Sequence, residues 1–312
     1  MGEKQLNKVY KYPPDNIEEI KKYAECDTEK IIEIILRMNE CVVYDACTFR
    51  FHKNIKDKKQ LLTFFVKHGA TVIIPSMIVT ELSSKNGSFP QKEMEYIAFL
   101  KGNNIKVLIV PERTILRLLT SCFGNNSKVQ NFLSIAVKEV LPAHSAIREW
   151  IREDPHLYDA LMRGKETTVE ALEERFFEGV RTLKSSGDNM GEIMVAIFVH
   201  MIANIPADSQ RFYVFTDDKG AVSLLGKTRE RHPLGRKKIV PVTTPKLAWV
   251  LNRKYGLNSV NSVVEMLKCI TSTGIINVLC SGEYDIDHRE VSFSVEELAK
   301  TIVEDKGFTV LI

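Results

Sequence analysis

The sequence predicts an α/β fold, a three-layer α/β/α arrangement around a central, mostly parallel sheet. Three observations predict it. Short, predominantly apolar runs recur at Cys41 to Tyr44, Ala70 to Ile74, Ile105 to Val110, Phe212 to Phe215 and Ile239 to Val242, which is the pattern of strands buried on both faces. Helix-periodic segments stand between them, so successive strands are joined by crossovers and run parallel. Pro75 and Pro111 close two of the runs, as turn residues do at strand ends.

Composition bounds what such a chain does. Among 312 residues, 43 Lys+Arg against 40 Asp+Glu leave 43 − 40 = +3, with 44% hydrophobic and 27% charged residues. A balance that close, with that apolar content, excludes a polybasic tail protein, an acidic disordered chain and a collagen-like one. No apolar run approaches the roughly 20 residues a bilayer span needs. The N-terminal Met1-Gly2-Glu3-Lys4 segment has no signal-peptide core, so an intracellular, cytoplasmic protein is expected. Cys26, Cys41, Cys47, Cys122, Cys269 and Cys280 form no CxxC pair. They read as reduced packing residues rather than a zinc site or a disulfide frame.

In chain order, residues 1–40 read as a helical lead-in through Ile17, Ile20, Ile31 and Ile35. The first α/β unit starts at Cys41, with a strand ending in Asp45 and a helix through Leu61 and Phe65. The second runs from Ala70 through a helix over Met77 to Leu82. From about 112 to 186 the pattern is helical with no strand candidate, and this is read as an insertion. The α/β pattern returns with a helix from Asp188 to about Ala203, the Phe212 and Ile239 strands, and a closing helix over Leu247 to Arg253. Residues 257–312 read as a small α/β appendage with a helix, then strand, helix and strand.

The informative feature is where the acids fall. In an open parallel sheet, ligands bind outside the carboxyl ends of the strands. Asp45 ends the first strand, Glu81 follows the second by about a helical turn, and Asp217 and Asp218 follow Phe215. Asp188 and Glu192 stand i, i+4 at the start of an apolar helix, on one face. Taken singly, each has a plainer role as a turn, cap or surface acid. Taken together, crowded carboxylates raise one another's pKa values unless a cation joins them. Oxygen-only donors favour Mg²⁺ or Mn²⁺ over zinc, and such an ion serves hydrolysis at phosphorus.

Val42-Val43-Tyr44-Asp45-Ala46-Cys47, Ile74-Pro75 leading to Glu81, Asp188-Asn189-Met190-Gly191-Glu192, and Val214-Phe215-Thr216-Asp217-Asp218 together resemble the PIN-domain nucleases, over about Cys41 to Arg253. The resemblance implies a PIN-like nuclease domain over 41–256, interrupted by the insertion. It also implies a metal held by Asp45, Glu81, Asp188 or Glu192, and Asp218, with Asp217 a further contributor. Thr216, and likewise Thr48, would orient acids through their hydroxyls. The implied reaction is phosphodiester hydrolysis to 5′-phosphate and 3′-hydroxyl ends, on RNA by family habit. A toxin or defence-effector role, with a protein inhibitor over the acidic edge, is a further implication.

Nucleic acid needs cations beside such a site. Arg50, Lys53 and Lys56, with Lys58 and Lys59, follow Asp45, and Lys227, Arg229, Arg231, Arg236, Lys237 and Lys238 follow Asp218. Both runs are assigned to backbone phosphates. The insertion has two readings, a lid restricting entry or a surface for a partner or second subunit, and Trp150 within it reads as packed. These features together predict a metal-dependent nuclease. The alternatives are a non-catalytic interaction protein on the same fold, and a phosphatase of small phosphoesters.

Overall fold

The computed structural model of the chain describes residues 9–185, 188–207, 210–231, 238–282 and 289–312. β1 (Glu40–Tyr44), β2 (Thr71–Pro75), β3 (Val107–Val110), β4 (Arg211–Phe215) and β5 (Ile239–Val242) form one sheet in the order β3-β2-β1-β4-β5. Every neighbouring pair is parallel, with Val43 opposite Ile73 on one side and Val214 on the other. Successive strand residues point to opposite faces, and Cys41, Val42, Val43 and Tyr44 are all fully buried. Helices therefore cover both faces, and the fold is three-layer α/β/α.

The strand order has a functional consequence. The chain moves from β1 outward through β2 and β3, then returns to the other side of β1 for β4 and β5. This reversal leaves a crevice at the carboxyl ends of β1 and β4, the place where open α/β sheets bind ligands.

The segment after β3 is helical throughout its described part: Glu112–Phe123, Asn126–Val140, Ala146–Glu153, Pro155–Met162, a mixed α and π stretch over residues 169–178, and Gly179–Leu183. It is part of the packed body. Helix Asn126–Val140 buries Val129, Leu133, Val137 and Val140 and packs against helices Met190–Ile202 and Lys219–Arg231. Its two ends are tied together by the buried Glu112, which accepts bonds from Ser76 Oγ, from Met77 N at 3.1 Å and from Arg181 Nη2 at 2.6 Å. Trp150 stacks near Phe176 and lies against Gly179, where an added Cβ would come within 2.3 Å of its ring.

The lead-in is two short helices, Ile17–Ile20 and Thr28–Arg37, separated by a single bridge from Glu25 to Leu108 on the edge strand β3. After helix Thr244–Tyr255 the chain forms a second sheet of β6 (Ile275–Ser281), β7 (Arg289–Ser294) and β8 (Thr309–Val310), antiparallel in the order β7-β6-β8. Trp249 Nε1 donates to Phe308 O and Arg253 to Asp305 O, docking this sheet and its helix Val295–Glu304 on the main body. β6 has no counterpart among the sequence-level expectations, although its alternating burial is the signature of a strand with one wet face. Among the described residues no helix is long and apolar enough to cross a membrane.

Candidate metal and nucleic-acid site

Asp45 follows β1 and caps the next helix. Its backbone N–H continues the ladder to Phe215 O, while its carboxylate accepts from Ala46 N at 2.7 Å, Cys47 Sγ at 2.8 Å and Thr216 Oγ1 at 3.1 Å. Glu81 rises from helix Ser76–Ser83 after β2. Asp218 follows β4 and accepts from Ala221 N. Glu192 lies in the first turn of helix Met190–Ile202. These four, with Asp188 and Arg50, line one pocket of about 90 Å³ at the β1/β4 crevice.

Two glycines make the convergence sterically workable. A Cβ on Gly191 would lie 2.2 Å from Glu81 Oε2, and one on Gly220 would lie 3.0 Å from both Asp218 Oδ1 and Glu192 Oε2. Any side chain at these positions would push the carboxylates apart. The electrostatic result falls on Glu192, whose pKa rises to about 7 through burial and then the charges of Asp218, Asp45 and Glu81. Burial also raises Asp45, and the Glu81 charge adds to that, against the hydrogen bonds it accepts.

Several expectations need correction. Asp188 precedes the helix, which starts at Met190, so Asp188 and Glu192 are not an i, i+4 pair on one helix face. Its carboxylate is bound by Ser185 N, Met190 N and Lys184. Although burial works the other way, the Lys184 and Ser185 bonds hold its pKa below the usual range. Asp217 turns away from the pocket. It is saturated by Thr48 Oγ1 at 2.9 Å, Thr244 N at 2.6 Å and Thr244 Oγ1 at 2.7 Å. Thr48 therefore orients Asp217 rather than Asp45, whereas Thr216 serves two acids, donating to Asp45 and accepting from Asp218 N.

The basic runs divide in the same way. Arg50 borders the pocket and donates from Nη2 to Glu81 O at 3.0 Å. Lys56 is exposed, but Lys53 is spent on the buried Glu93. Lys238 is buried, with its ammonium on Ala203 O and Ile205 O, which removes it from any phosphate surface. Lys227, Arg229 and Arg231 ride a helix that begins beside Asp218. At 1.5 Å per residue they lie about 13–20 Å farther along its axis, away from the carboxylates. Arg236 and Lys237 lie outside the described residues.

Lys184 is the residue the sequence reading missed. Its side chain is 2% exposed, and its ammonium sits 2.9 Å from Glu81 Oε1 and against Asp188. It neutralises part of the acidic cluster. Among the described residues no three His, Cys, Asp or Glu side chains are grouped closely enough to hold a metal ion. The donor set nevertheless fits a hard divalent ion. It is all oxygen, it comes from four segments, and burial together with the neighbouring carboxylates raises the Glu192 carboxyl to about 7.

No family model, curated protein or solved structure matches the chain. Fold and site define a class on their own: a doubly wound α/β protein with a carboxylate pocket at its topological switch point.

Proposed function

We propose that the chain is a metal-dependent nuclease of the PIN type. The observation that supports this most strongly is the meeting of Asp45, Glu81, Glu192 and Asp218 from four segments in one pocket of about 90 Å³. Asp45, Asp218 and Glu192 would hold Mg²⁺ or Mn²⁺, with Glu81 holding it or orienting water. The ion would acidify an attacking water and neutralise charge on the leaving oxygen.

The chain's own residues do the rest. Thr216 sets Asp45 and the Asp218 backbone with one hydroxyl, which preorganises the two central carboxylates. Arg50 is the cation lining the pocket and would meet a phosphate that carboxylates alone would repel, while Lys184 is already paired with Glu81 and Asp188. The substrate is the phosphodiester of nucleic acid, with RNA the first to test. The Lys184 contacts favour the second reading, a non-catalytic interaction protein whose acidic cluster is already neutralised.

One experiment separates the two. Labelled RNA is incubated with Mn²⁺ and either wild type or Asp45→Asn/Asp218→Asn. Cleavage by wild type, abolished in the double variant, is expected. A wild type inert on RNA and DNA with every divalent ion tried overturns the nuclease reading.

A further inference from the structure

Beside the carboxylates the surface opens into a second cleft of about 500 Å³, between the carboxyl edge of the main sheet and the small antiparallel sheet. The two spaces adjoin, with Cys47 and Asp218 lining both. The walls of the larger one are mainly apolar. Phe51 comes from the helix that Asp45 caps, Val222 from the helix that follows Asp218, and Ile275 and Leu279 from β6. Ile275 is 52% exposed. An uncovered branched apolar side chain beside a carboxylate pocket calls for a ligand with both an apolar and an ionic part.

Size decides what goes where. The carboxylate pocket, at about 90 Å³, is less than a fifth of the cleft at about 500 Å³. The cleft is the space with room for a ring system beside a phosphate at the carboxylates. A ligand with its phosphate at Asp218 must place the attached group in contiguous space, and the cleft is that space. Phe51, which lines the cleft, is an aromatic side chain of the kind on which bases stack. Asn277 on β6 has its Oδ1 taken by Ser292 Oγ at 2.6 Å, which leaves its amide N–H groups as donors for a base edge. Lys219, paired with Glu290 across the mouth, joins the main body to the appendage at the boundary of the cleft.

We propose that this cleft is a nucleobase subsite that takes the base next to the scissile phosphate. The appendage would then be the part of the molecule that selects substrate. This rests on the nuclease reading of the carboxylates, and the test keeps the two apart.

Binding of Mn²⁺, inorganic phosphate and the four ribonucleoside 5′-monophosphates to the full chain is measured by calorimetry, the anions in the presence of Mn²⁺. At least one nucleotide should bind about tenfold more tightly than phosphate, the scale of one base–aromatic stack. Phe51→Ala and Ile275→Asp should each remove most of that advantage while leaving Mn²⁺ and phosphate binding unchanged. Ile275 is half exposed, so its variant keeps the test decisive if Phe51→Ala fails to fold. Nucleotides that bind no better than phosphate, or that bind both variants as well as wild type, overturn the subsite and leave the metal site standing. Absence of Mn²⁺ binding overturns both.

Discussion

Lys184 holds its ammonium 2.9 Å from Oε1 of Glu81, which lines the carboxylate pocket, with 2% of the lysine side chain exposed. A lysine so placed is a resident counter-charge. It satisfies Glu81 and Asp188 in the metal-free protein and competes with any divalent cation for Glu81.

Removing it should act on binding and stability in opposite directions. Lys184→Met is expected to bind Mn²⁺ about tenfold more tightly, because one interaction of about 1.4 kcal/mol no longer has to be displaced. The metal-free variant should be less stable by about 2 kcal/mol, since two half-buried carboxylates lose their partner. Calorimetric titration and urea unfolding in EDTA measure the two. In wild type, amine labelling of Lys184 followed by mass spectrometry should rise when Mn²⁺ is added. Labelling that stays constant while Mn²⁺ binds would rule out the competition.

Glu112 and Arg181 set where Lys184 stands, because they tie the end of the insertion to its start and to Ser76 one turn before Glu81. Glu112 is 3% exposed in its side chain and Arg181 16%, so breaking the pair strands a buried charge. Arg181→Met should cost about 3 kcal/mol in urea unfolding, whereas Glu112→Met/Arg181→Met should regain most of it. A single variant as stable as wild type would mean that packing, not the ion pair, closes the insertion.

A buried polar relay runs through the core to Asp217. Tyr96 OH and Tyr44 OH meet at 2.8 Å, Tyr44 OH meets His52 Nδ1 at 2.9 Å, and His52 Nε2 meets Thr244 Oγ1 at 3.0 Å. Thr244 Oγ1 donates its own hydrogen to Asp217, which assigns the His52 proton to Nε2 and makes Nδ1 the acceptor from Tyr44. Burial pushes the His52 pKa down to about 3.

A base whose folded pKa lies below its unfolded value stabilises the fold above about pH 6.5, and that contribution falls as pH drops toward 3. Glu192, raised to about 7 in the fold, has the opposite sign. Its contribution is present below the unfolded carboxylate value and is lost as pH rises through 7. The two oppose each other between about pH 4.5 and 6.5. In EDTA, Glu192→Gln should therefore lose more stability than wild type between pH 7.5 and pH 5, read from urea midpoints. Equal losses would remove Glu192 from the balance.

The five main strands and Asp45, Glu81 and Asp218 were legible because each depends on local pattern: an apolar run, then an acid where it stops. What was not legible depends on partners distant in sequence. Thr48 is three residues from Asp45 in the chain but bonds Asp217, 169 residues away. Lys184 looks like a surface lysine until Glu112 and Arg181 close the insertion and bring it to Glu81. Lys227 and Arg231 seemed close to Asp218 by count, yet the rigid rise of a helix carries them off. β6 was overlooked because its partners β7 and β8 follow it in the chain and its half-exposed face dilutes the apolar signal.

Asp217 and Asp218 are neighbours with opposite assignments, and substitution should separate them. Asp217 is buried, its pKa raised by that burial against the lowering bonds from Thr244 and Thr48. Every bond its carboxylate makes is as an acceptor, from two hydroxyls and one backbone N–H. An amide in its place turns one acceptor into a donor facing hydroxyls that already donate, so Asp217→Asn should cost about 2–3 kcal/mol. Asp218 faces the carboxylate pocket, where loss of a negative charge relieves Glu192, whose pKa its charge helps to raise. Asp218→Asn should therefore leave metal-free stability unchanged or higher while weakening Mn²⁺ binding. Thermal unfolding in EDTA and Mn²⁺ titration of both variants decide the matter. If Asp217→Asn instead proved stable and lost its Mn²⁺ affinity, Asp217 would be the ligand and the division of labour drawn from these hydrogen bonds would be reversed.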